Sequence, residues 1–72
     1  MDSVKIIDNF MYYFYNKWNE YEAEKVFGRA LGKHIYEKYL ELDKHVLRFY
    51  GSLDKDCRNK LVDRVNEVYS TN

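Results

Sequence analysis

His34, Glu37, Glu41 and His45 fall along one flank of the helix that the sequence predicts around them. Imidazole and carboxylate are both metal ligands, and facing helices build di-iron sites from Glu-x-x-His pairs. Here the order is His-x-x-Glu, and on one continuous helix His34 and His45 stand three turns, about 16 Å, apart. They cannot share one ion within a monomer. The expectation is a solvated charged flank, with no metal and no cofactor. Protonation of these histidines would tune an interface between about pH 5 and 8, but nothing in the pattern requires it.

Cys57 is the only cysteine, so no disulfide forms within the chain, and one unpaired thiol suits a reducing compartment. Helical spacing places it on an apolar face, as a small core hydrophobe. No nucleophile, base and orienting group recur together, and an enzyme is not expected. The segment "GRALGKH", Gly28 to His34, has three residues between its glycines and a histidine after the lysine. A phosphate loop needs four intervening residues, then Lys and Ser/Thr, after a strand. Close helix packing is the better account of the two glycines.

A helix-turn-helix is the alternative for residues 23–40, with Arg29, Lys33 and Tyr36 turned toward nucleic acid. Against it, Glu37 and Glu41 share the segment, and twelve basic residues balance twelve acidic ones. DNA-binding modules usually carry a basic excess. "FMYYFYNKW", Phe10 to Trp18, holds six aromatic residues in nine. Stacked bases require rings interleaved with cations on an open surface, yet only Lys17 lies in the stretch. A membrane-surface helix requires a Lys/Arg-rich polar face, whereas Asp2, Asn9, Asn16 and Glu20 occupy this one. The longest apolar run, Phe10 to Tyr15, is six residues, far short of the about 20 of a membrane span. No membrane partner is expected, and the acidic start Met1-Asp2-Ser3 does not resemble a secretory signal. The expected location is cytoplasmic. Abundant Tyr, Lys, Asn, Phe and Ile without proline matches AT-rich coding, common in phages and some viruses.

The elements that hold these residues follow from apolar spacing. Val4, Ile7, Met11, Phe14, Trp18 and Tyr21 stack on one face of a first helix. Phe10 and Tyr15 flank that face, Ile6 and Tyr13 extend it, and Tyr12 alone points to the polar side. Asn19, followed by Glu22 three residues on, reads as a capping box that opens a second helix near Glu20. Phe27, Leu31, Ile35, Tyr39, Leu42, Val46 and Phe49 keep one phase along that helix. Gly51 stops it, and Ser52 caps a third helix that buries Leu53, Cys57, Leu61, Val65 and Val68. The 72 residues form one all-α domain, a three-helix bundle with a long central helix. A kink near Gly28–Gly32, giving four helices, is the alternative.

A continuous second helix of thirty residues spans about 45 Å, against about 27 Å for each neighbour. It carries a second apolar line, Tyr36, Leu40 and Leu47, with Val26 further round. A small chain already buries little of its surface, and this one has more apolar arc than three helices cover. The expected function is therefore a non-catalytic helical interaction module. It self-associates or binds an unidentified protein through Tyr12, Tyr13, Tyr15, Trp18, Tyr36, Leu40 and Leu47. Its expected role is regulator, adaptor or inhibitor of a larger partner.

Overall fold

The computed structural model describes residues 3–69, with side chains from Ile7 onward. They form α1 (Ser3–Asn16), α2 (Glu20–Phe27), α3 (Arg29–Glu41), α4 (Val46–Ser52) and α5 (Lys55–Tyr69). The all-α expectation holds. The long central helix does not form: the segment from Glu20 to Ser52 is three helices separated by two breaks. The longest dimension of the molecule is 33 Å, shorter than the about 45 Å of an unbroken thirty-residue helix.

The first break is a single residue. Gly28 adopts φ 91°, a conformation that costs a side-chain-bearing residue dearly. Its N–H donates to the Glu24 carbonyl at 2.8 Å, closing α2, and its own carbonyl accepts from the Gly32 N–H at 2.8 Å, opening α3. The two helices then turn back on each other. A Cβ at Gly32 would lie 2.5 Å from the Glu24 Cα and 2.6 Å from the Ala23 carbonyl oxygen. Gly32 is thus the close-packing glycine that the sequence suggested, and the helix that approaches it is the one just before it.

The second break carries no glycine or proline. Asp43 and Lys44 both sit in the left-handed region, at φ 56° and 60°. The Lys44 N–H reaches back to the Tyr39 carbonyl at 3.0 Å, and the Leu42 N–H to Lys38 at 3.1 Å, so the end of α3 is satisfied. His45 then caps α4, its Nδ1 accepting from the Arg48 N–H at 3.2 Å. Two other boundaries differ from expectation. α4 runs through Gly51 to Ser52, whose hydroxyl donates to the Phe49 carbonyl at 2.6 Å instead of capping α5. Asp54 accepts from the Cys57 N–H at 2.8 Å and supplies that cap.

Aromatic rings fill the centre. Phe14, Trp18, Tyr39 and Phe49 interlock, with centroids 5.2 Å apart for Phe14–Trp18, 5.6 Å for Trp18–Phe49 and 5.2 Å for Tyr39–Phe49. Phe10 meets Tyr50 of α4 edge-on at 5.1 Å. Such offset and edge-on pairs add about 0.5–1.5 kcal/mol each beyond the area they bury. Tyr13, Phe49 and Leu61 are wholly enclosed, and Ile35, Val46, Leu53 and Val65 complete the core. Both apolar stripes survive the breaks. Phe27, Ile35, Tyr39, Val46 and Phe49 are buried as their spacing required, although three helices rather than one present them.

Candidate functional site

The aromatic segment divides sharply by face. Tyr13 is 0% exposed and Trp18 8%, so these two rings, expected at an interface, belong to the core and are not available to a partner. Tyr13 lies under α5, and Trp18 is enclosed by Tyr13, Phe14, Tyr36, Tyr39 and Phe49. The Trp18 Nε1 is buried without a hydrogen-bond partner, so packing rather than polar recognition holds that ring. Tyr36 is half-buried against Trp18. By contrast Tyr15 is 74% exposed and Tyr12 55%, beside Ile7 at 61% on the same helix.

Leu40 and Leu47 are also exposed, at 44% and 68%. They do not form the single line expected of a long helix. Leu40 ends α3, Leu47 begins α4, and the turn at Asp43–Lys44 intervenes. Four further apolar side chains that the spacing had placed inward or left aside are open to solvent: Ile7, Tyr21, Leu31 and Val62. The sequence signal for Ile7 was there, since its spacing of four to Met11 marks an edge of the apolar arc as readily as its centre.

The one cluster of buried polar chemistry among the described residues was not legible beforehand. Glu22, read as half of a capping box, accepts from the Tyr13 hydroxyl at 2.6 Å and from Arg64 at 2.7 Å (Nε) and 3.3 Å (Nη2). Asn19 does cap α2, its side chain accepting from the Glu22 N–H at 2.8 Å. The Glu22 carboxylate, however, is diverted away from the cap to join α1, α2 and α5. Arg64 also pairs with Glu67. Burial pushes the Glu22 carboxyl up, but hydrogen bonds from Arg64 and Tyr13 outweigh it and hold the group below the usual carboxylate range. Burial and the neighbouring carboxylate raise the Tyr13 phenol. A groove of about 290 Å³ lies alongside, lined by Lys25, Val26, Lys60, Asp63, Arg64 and Glu67. Its cations are matched by its carboxylates and by Glu22 beneath, so it offers no net field for an ion.

Other candidate chemistry is dispersed. Among the described residues no group of three or more His, Cys, Asp or Glu side chains could hold a metal. His34 and His45 no longer share a helix, because His45 sits in the second break. Cys57 is half-buried near the start of α5. Burial and the Asp54 carboxylate push its thiol up, away from the thiolate that nucleophilic chemistry needs. Arg29 and Lys33 are exposed on the first turns of α3. Yet α2 and α3 are joined by Gly28 alone, where a helix-turn-helix has a turn of about 3–4 residues. No described helix is long and apolar enough to cross a membrane. No family model, curated protein or solved structure matches this chain.

Proposed function

We propose that the chain is a non-catalytic helical interaction module that self-associates and acts as a regulator, adaptor or inhibitor of a larger protein. One observation carries this reading. The core is complete with Phe14, Trp18, Tyr39 and Phe49, while Ile7, Tyr12, Tyr15, Leu40 and Leu47 are left with between 44% and 74% of their surface in water. Isolated exposed apolar residues are ordinary; three on one face region of a fourteen-residue helix are not. A net charge of zero removes the long-range repulsion that would keep two copies apart.

Light scattering across a dilution series tests it. The expected result is a dimer at high concentration whose mass falls toward 8.8 kDa on dilution. A constant monomer mass at every concentration would remove self-association from the proposal. The DNA-binding alternative rests on exposed Arg29 and Lys33. It predicts binding that weakens steeply with salt and is lost on Arg29→Glu with Lys33→Glu; affinity unchanged by that pair would dismiss it.

A further inference from the structure

We infer that two copies pair through the α1 ridge Ile7–Met11–Tyr15, antiparallel, about a two-fold axis at Met11. This deepens the self-association just proposed and rests on it. The three side chains are spaced four apart, so they form one ridge about 12 Å long on the helix surface. Ile7 and Tyr15, the ends of the ridge, are 61% and 74% exposed, and Met11 between them is half-buried. Phe10, Phe14 and Trp18 of the same segment are committed to rings of α3 and α4. The ridge is therefore what α1 has left over after the core is built.

A second copy suits it because the ridge is symmetric about its middle. Ridges of this spacing from two helices interdigitate at about 50°, with axes about 8–10 Å apart. In a two-fold antiparallel pair Ile7 faces the partner's Tyr15 twice, and Met11 faces the partner's Met11. A small aliphatic group then packs on a large ring at both ends, and the helix dipoles oppose. The parallel alternative sets Tyr15 against its own copy and brings the two Asp8 carboxylates to the same side of the crossing.

The area is adequate for a dimer and not for a permanent one. With about 200 Å² per ring, the open fractions of Tyr12 and Tyr15 amount to roughly 260 Å². Adding roughly 100 Å² for Ile7 and counting both copies gives roughly 700 Å² of apolar surface, at about 25 cal/mol per Å² a useful driving force. If apolar atoms make up about 65% of a homodimer interface, the total is roughly 1,100 Å², at the lower edge of specific interfaces. A pair of this size comes apart on dilution.

Charge exchange tests the pairing in the full-length chain. Ile7→Glu alone and Tyr15→Lys alone, both at exposed positions, should each weaken dimerisation at least tenfold by light scattering. The double variant should regain most of it, because each new carboxylate then faces the partner's new ammonium. The two are about 12 Å apart within one helix, too far to pair internally. Independently, Met11→Cys in a Cys57→Ser background should oxidise to a covalent dimer at least tenfold faster than Leu40→Cys or Leu47→Cys, with circular dichroism confirming the fold. A dimer that neither recovers in the double variant nor cross-links at position 11 overturns the ridge while self-association stands. A monomer at every concentration overturns both.

Discussion

Glu22 shows what one buried charge does in a small core. Its carboxylate receives Tyr13 from α1 and Arg64 from α5, so three elements meet at one side chain. Losing one partner of a fully buried pair costs about 3–5 kcal/mol. The Arg64 side chain is 24% exposed and water offsets part of that loss, so Glu22→Gln should cost about 2–3 kcal/mol by urea unfolding. Tyr13→Phe removes one hydrogen bond to a charged acceptor and should cost about 1.5 kcal/mol. The pH dependence has a definite sign. The Glu22 carboxyl is held below its unfolded value, so its contribution is full above about pH 4.5. Below that the unfolded chain binds a proton that the folded chain does not, and the contribution is lost as the pH falls through the folded value. Glu22→Gln should flatten that part of the acid-unfolding curve; an unchanged acid limb would mean that other carboxylates carry it.

At the scale of the elements, the same chemical change has opposite signs at two glycines. A methyl at Gly51, in α4, meets nothing within 4 Å. Gly51→Ala should therefore stabilise the chain by about 0.5–1 kcal/mol through the unfolded state. A methyl at Gly32 meets backbone at 2.5 Å, and backbone cannot swing aside as a side chain can. Gly32→Ala should destabilise by at least about 2 kcal/mol; thermal unfolding of the two variants checks both signs. These glycines also mark where the fold was legible. Spacing identified the buried face of each segment, because burial depends on which side a residue takes. It did not give the helix count, because the stripe from Phe27 to Phe49 keeps phase across Gly28. The break at Asp43–Lys44 was invisible, since both residues adopt positive φ without being glycine. Arg64 reads as one more polar residue on a solvated face, and its partner lies 42 positions away. Tyr13 and Trp18 were placed at an interface because spacing shows that a face is apolar but not which helix covers it.

For the whole molecule, association and folding are linked. A 72-residue chain has a stability on the order of 4–11 kcal/mol, so a partner that binds only the folded state is a visible addition. When two folded copies pair, each tenfold rise in concentration above the dissociation constant adds roughly 0.7 kcal/mol per copy, half of the full mass-action increment. In a domain this small, 1 kcal/mol moves the midpoint by about 4–8 °C. The melting temperature should therefore climb by about 3–5 °C per decade of protein concentration, provided that unfolding is reversible. Tyr15→Lys should abolish the climb without lowering the dilute-limit midpoint by more than about a degree, since a ring 74% in water contributes little to its own core. Scanning calorimetry at three concentrations reads both effects together. A midpoint independent of concentration in the unmutated chain would mean that its exposed rings do not meet in pairs. A lowered dilute midpoint in the variant would instead place Tyr15 among the residues that hold α1 to α3, where its hydroxyl already contributes to raising the Tyr39 phenol, after burial and Tyr36.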